Sequence, residues 1–280
     1  MNLDVLVEPF KFSFMIRAFI GTGLIAVIAA VVGTFVVLKG LAFMGDAIAH
    51  TAFTGSAIAL LLGLNLYAGA MALALVTALG VVFLTRVSPV KNDTALAILF
   101  TGVFAVGIIV LSAMPGFAGD LNSLLLGSVM AIQTEEIYLI AAAALAIAFL
   151  MWVFFPRFVL VSFDPVGAEA AGFPVTLVQS ILLVGVAAAI VISIQAVGVV
   201  LVVALLITPA ATGSLVTRRV LPLMMVAACV GLFSAAAGLY ISYYLAAPPG
   251  ATIVVVATSV FAFTLILTRL RSWLRRRQGD

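Results

Sequence analysis

Charge is scarce in this sequence. Only 8% of the 280 residues are Asp, Glu, Lys or Arg, against about 25% in an average soluble domain, while 66% are apolar. Such a chain has too little polar surface to face water, so the solvent it folds in is lipid. Cysteine is almost absent: a lone Cys229, inside the apolar run Met224–Leu232, excludes an internal disulfide and is expected as a small core residue. No Gly-x-x-x-x-Gly-Lys-Ser/Thr loop occurs anywhere, which excludes the usual phosphate cradle and with it ATP hydrolysis by this chain. The isoelectric point near 9.3 would suit a nucleic-acid partner, but the basic residues punctuate loops and form no patch.

What is present is a series of long apolar runs. A helix needs about 20 apolar residues to cross a hydrocarbon core of about 30 Å. Cutting the chain at charges, prolines and polar clusters gives nine runs of that order: Phe14–Leu38, Leu41–Leu64, Tyr67–Thr85, Thr94–Ala113, Ile137–Phe155, Leu177–Ile194, Ala196–Val216, Leu221–Ala246 and Thr252–Thr268. The fold class is therefore an all-α, polytopic transmembrane helix bundle of about nine spans, forming one domain over residues 1–280. Between the fourth and fifth runs, Asp120–Ile132 is too short to cross and reads as a re-entrant or interfacial piece. No small-residue cleavage site follows the first run, which reads as a retained signal-anchor.

Basic residues orient the spans. A cytoplasmic tail at 269–280, with Arg269, Arg271, Arg275, Arg276 and Arg277, places Lys39, Arg86, Lys91, Arg157, Arg218 and Arg219 on the same side, which is 11 of 13 basic residues. Lys11 and Arg17 stay near an external N-terminus, and the outer side collects Asp4, Glu8, Asp120, Glu135 and Glu136. A weakly anionic outer mouth favours cations and a basic docking partner; ordinary solvated loop charges would look the same.

One pair of polar residues lies inside a span. In Met44-Gly45-Asp46-Ala47-Ile48-Ala49-His50, the only histidine follows an aspartate by four residues, so both project from one helix face. An ionisable side chain at such depth is costly and is seldom kept without a role. Carboxylate plus imidazole suits divalent Mn, Fe or Zn. Two ligands leave the ion half-coordinated, which transit requires because the ion must be released. The alternative is an Asp–His hydrogen bond that only packs helices together. Gly45, Ala47, Ala49, Ala52, Gly55, Ala57 and Ala59 let neighbouring helices approach closely.

The longest internal loop is expected at 157–176. There Asp164 is placed to cap a short helix starting at Pro165, with Gly172 as its stop and Pro174 beyond. A short helix on the cytoplasmic face is what a motor domain would push on; a plain structural elbow has the same sequence pattern.

Gly-Thr-Phe-Val-Val-Leu-Lys39 leading into Met44-Gly45-Asp46-Ala47-Ile48-Ala49-His50 and Gly55 resembles the zinc/manganese/iron family of ATP-binding-cassette permeases. Phe163-Asp164-Pro165 with Ala168, Ala170 and Gly172 is similar to that family's cytoplasmic segment, and Gln195 to Thr212 to its late apolar block. Thr54 stands where the family often has proline, and Val166 where an acidic residue is common. The resemblance implies the membrane-spanning permease subunit of an importer of Mn, Zn or Fe, in the cytoplasmic (inner) membrane of a prokaryote. It implies no cofactor bound by this chain, only a transported metal. It also implies three partners: a dimer of cytoplasmic ATP-binding-cassette ATPases, an extracytoplasmic metal-binding protein, and a second permease chain, identical or related. Asp46 and His50 would hold the metal. Phe163, Asp164, Pro165, Ala168, Glu169 and Gly172 would couple to the ATPase. An ion-driven secondary carrier would need more intramembrane acids and paired broken helices than this chain carries. An intramembrane metalloenzyme would need more ligands than Asp46 and His50.

Overall fold

The structure is a computed structural model, and it describes residues 8–89, 92–112 and 127–277. Asp4, Lys91, Asp120 and the 120–126 part of the expected re-entrant piece lie outside the described residues. Ten α-helices account for most of the described chain, and no strand occurs among the described residues. They are α1 (Ser13–Leu38), α2 (Ala42–Leu61), α3 (Leu66–Val87), α4 (Asn92–Ser112), α5 (Thr134–Phe163), α6 (Pro165–Ala170), α7 (Val175–Val197), α8 (Val199–Val216), α9 (Val220–Leu245) and α10 (Pro249–Arg277).

Each of the nine apolar runs falls on helix, and among the described residues seven helices are long and apolar enough to cross a membrane by those two measures: α1, α3, α5, α7, α8, α9 and α10. The expected count of nine is therefore not reached on length and composition. In α2 the apolar content is diluted by Gly45, Asp46, His50, Thr51, Thr54, Gly55 and Ser56, and in α4 the apolar stretch is limited to Thr94–Val110. The dilution of α2 has a structural counterpart: α2 packs against α1, α3, α4, α7 and α8. A helix wrapped by other helices meets less lipid and tolerates polar residues that a lipid-facing helix excludes.

Centre and periphery separate cleanly. Within their most apolar windows α1 is 67% buried and α7 61%, whereas α5 is 17% and α10 11% buried. Phe35 of α1 seats edge-on against Phe155 and Phe158 of α5, fixing the inner face of that outer helix. The only interruption between α7 and α8 is Gly198, at φ 83° and ψ 164°. That φ is strained for any residue with a Cβ, so the glycine allows the chain to end one helix and begin the next within a single residue.

Two expectations need correction. The loop expected from 157 is shorter, because α5 continues through Pro156 to Phe163. Proline removes one helical hydrogen bond and bends a helix, but the flanking apolar turns retain enough packing to carry it past that point. Cys229, expected in the core, is exposed on α9. In lipid an outward-facing thiol carries no hydrophobic penalty, so apolar context does not report burial here.

Of the short piece before α5, Gly127 lies against the backbone of Val197 and Gly198, and a 3₁₀ turn covers Val129–Ala131. Val129 and Ile132 are fully buried, with Ile132 against Gly21 of α1. This half of the segment is a wedge held by α1, α7 and α10.

Candidate functional site

Asp46 and His50 lie on the strip of α2 that the chain leaves uncovered. Ala47, Ile48 and Ala49 between them are buried, as are residues 51–57, whereas Asp46 and His50 are half-exposed and Phe43 one turn earlier is exposed. The i, i+4 spacing stacks the two side chains: His50 Nε2 stands 3.5 Å from Asp46 Oδ1. That is longer than a well-formed N–H···O bond, so the pair is near enough to share a cation and is not locked to itself. The other ring nitrogen, Nδ1, is buried with no hydrogen-bond partner among the described residues. A buried imidazole nitrogen left unpaired is costly, and a ligand removes that cost.

The sequence reading missed the walls of this site. Phe100 and Phe104 of α4 place their rings 5.7 and 5.8 Å from the imidazole and 5.7 Å from each other. Their i, i+4 spacing shows that they share a face of α4, but nothing in the sequence couples that face to α2. Thr54 and Gly107 supply the coupling. The Thr54 hydroxyl donates to the His50 carbonyl, and its side chain fills the space where a Cβ on Gly107 would stand. On the opposite side, Gly55 of α2 and Gly69 of α3 approach backbone to backbone, and Gly45 admits Leu206 of α8. The small residues thus draw three neighbours onto α2 and leave one strip free. Among the described residues no group of three or more His, Cys, Asp or Glu gathers, so a single chain offers an ion two side-chain ligands.

The second cluster lies where α5 ends. Asp164 Oδ1 accepts from the Gly167 backbone N–H at 2.8 Å, Pro165 occupies the first turn, and α6 follows for six residues. Gly172, at φ 80°, closes it: its N–H reaches the Glu169 carbonyl and the Phe173 N–H reaches the Ala168 carbonyl. These two crossed bonds form a Schellman closure. Ala168 is fully buried, whereas Glu169 is exposed, with Phe163 at 60% and Val166 at 78% exposure. Glu169 also lines a hollow with Arg86, Phe173, Pro174 and Thr176. Lys39, just past α1, donates to the Val161 carbonyl at 3.5 Å, and burial lowers its pKa from the ordinary lysine value.

Comparison with known proteins places this arrangement. The ABC 3 transport family profile matches residues 11–268, and the chain belongs to that family. The chain is 36% identical over 266 residues to the manganese transport system membrane protein MntC of Halalkalibacterium halodurans, covering 95% of this chain and 91% of that one. It is 34% identical over 269 residues to a protein of Haemophilus influenzae described as a probable iron transport system membrane protein, covering 96% and 98%. Among solved structures, PsaBC from Streptococcus pneumoniae in complex with Fab superposes with a TM-score of 0.83 at 32% identity, over 94% of this chain and 95% of that chain.

Proposed function

We propose that this permease subunit of an ATP-binding-cassette metal importer passes divalent Mn or Fe along the uncovered strip of α2, with Asp46 and His50 as transient ligands. It is a transporter subunit and not an enzyme. The observation that carries the reading is the placement of His50 Nε2 3.5 Å from Asp46 Oδ1 on the uncovered strip, close enough to share an ion and too far to lock the ring. In a low-dielectric environment a carboxylate offsets part of a dication's desolvation cost, and imidazole suits Mn, Fe and Zn alike. The relatives carry manganese or iron by their names; Zn fits the same ligands.

A second permease chain, identical or related, facing the same strip would double the ligand set to four. Residues 1–280 act as one permease domain of nine spans in the inner membrane of a prokaryote, with the N-terminus outside. An extracytoplasmic metal-binding protein delivers the ion at the acidic end. A cytoplasmic ATPase dimer grips α6, where exposed Phe163 and Val166 offer an apolar seat, Ala168 anchors the helix and Glu169 faces the ATPase. Asp164, Pro165 and Gly172 fix the helix ends.

The test is metal uptake in proteoliposomes carrying the ATPase and the binding protein. Asp46→Asn and His50→Gln each keep polarity while removing the charge or the ligand, and each is expected to abolish Mn uptake at normal membrane abundance. Near-normal uptake by both variants refutes the pathway and leaves the pair as a packing contact.

A further inference from the structure

The last turns of α1 and α5 are keyed together at two levels. Phe35, fully buried, meets Phe155 and Phe158 edge-on, with ring centroids 6.1 and 5.6 Å away. One turn further along, the half-buried Lys39 donates from its ammonium to the Val161 carbonyl. The sequence explains why that carbonyl is open. A continuing helix would fill it with the N–H of residue 165, and Pro165 has none. A cation there also meets the negative end of the α5 dipole. Among the described residues Lys39 has no acidic partner, and the Val161 carbonyl is the contact its ammonium makes.

Both sides of this contact continue into stiff joints. Past Lys39, the Gly40 N–H reaches the Val37 carbonyl and the Leu41 N–H reaches the Val36 carbonyl at 2.8 Å, a Schellman closure with Gly40 at φ 66°. The next residue, Ala42, starts α2, and Asp46 stands one turn into it. Past Val161, the Asp164 N–H reaches the Leu160 carbonyl at 2.9 Å, and Asp164 is the single residue between α5 and α6. A displacement of α6 therefore has a short, hydrogen-bonded route to the start of α2, through Asp164, the Val161–Lys39 contact and the turn at Gly40.

We propose that Lys39 is the positioning residue of transport coupling, holding the end of α5 and the α1–α2 turn as one body so that movement of α6 turns the start of α2. The proposal rests on the reading of α6 as the seat of the ATPase, and it gives that seat a path to the metal strip. The competing path is α7, which follows α6 in the chain and packs against α2. At 3.5 Å the Lys39 contact is at the long limit of a hydrogen bond, so the charge on the donor is what sustains it. Removing that charge should release the joint.

The experiment is hydrogen–deuterium exchange of the intact transporter in nanodiscs, with its ATPase and binding protein, measured with and without ATP plus vanadate. Mn uptake per ATP hydrolysed is measured beside it in proteoliposomes. In the wild type, ATP plus vanadate should change exchange both in residues 160–173 and in residues 40–48. Lys39→Met and Lys39→Gln remove the charge and keep much of the side chain's bulk. In each, the response at 160–173 should persist, the response at 40–48 should vanish, and Mn moved per ATP should fall at least about five-fold. Lys39→Arg keeps a charged donor and should retain both the response and the uptake. A response at 40–48 that survives in K39M and K39Q overturns the proposal and leaves α7 as the route. So does uptake per ATP that stays at the wild-type level in those variants, a K39R transporter as uncoupled as they are, or a wild type that responds at 160–173 alone. No response at 160–173 in the wild type is a separate failure: α6 is then not the ATPase seat, and the proposal falls with that reading.

Discussion

The Lys39 ammonium donates to the carbonyl of Val161, 3.5 Å away and 122 positions later in the chain. This contact ties the end of α1 to the last turn of α5, so the two helix ends lie on one side of the bundle. The nine spans expected from the sequence would likewise run α1 and α5 in the same direction. The other end shows matching contacts, with Phe12 of the N-terminal segment 6.2 Å from Tyr243 near the end of α9.

These ends predict the topology. Residues 39, 86, 161–174 and 278 should lie in the cytoplasm, and the turn at 62–65 between α2 and α3 should lie outside. Fluorescent reporters that fold only in the cytoplasm should light up after residue 278 and stay dark at residue 64, with an extracytoplasmic phosphatase reporter giving the opposite pattern. Phosphatase activity at 278 would remove the model of nine spans.

The closure of α6 should matter for coupling more than for folding. Gly172→Pro cannot take the left-handed φ of that position, and Asp164→Ala loses a cap worth about 1 kcal/mol. Both changes, and charge reversal in Glu169→Lys, should leave the permease inserted and thermally stable to within a few degrees while uncoupling ATP hydrolysis from uptake. The check is ATPase stimulation measured beside Mn uptake in the same proteoliposomes. Tight coupling in all three variants would reduce α6 to a structural elbow.

The contact of α4 with α2 is held by shape. A methyl at Gly107 would overlap the Thr54 side chain, whereas a methyl at Gly102, on the same helix, meets nothing. Gly107→Ala should therefore cost about 1–3 kcal/mol through overpacking and lower uptake by shifting Phe104 off His50. Gly102→Ala should be neutral or stabilising by up to about 1 kcal/mol from helix propensity. Adding Thr54→Ala to Gly107→Ala should restore most of the loss. Melting temperatures of the wild type and the three purified variants decide this, and failure of the double variant to recover would show that another contact sets the spacing.

The sequence by itself determined the all-helical membrane class, where the helices lie, and that Asp46 and His50 share a helix face. Apolar runs of span length can bury their backbone polar groups in lipid only as helices, and the Asp-x-x-x-His spacing aligns two polar side chains on one face of any helix. Asp164, Pro165 and Gly172 specify the ends of α6 through local backbone preferences, which require no distant partner. The tertiary structure alone decided which helices sit at the centre, because the apolar helices that face lipid and those that face protein have nearly the same composition. For that reason Cys229 faces outward against expectation, and α2, diluted by polar residues, packs against α1, α3, α4, α7 and α8 while leaving the Asp46–His50 strip uncovered. It also decided that Phe100 and Phe104 wall the imidazole and that Lys39 meets Val161. Those contacts join residues dozens of positions apart, and packing between helices depends on complementary shape at both surfaces, which no local pattern in one of them encodes.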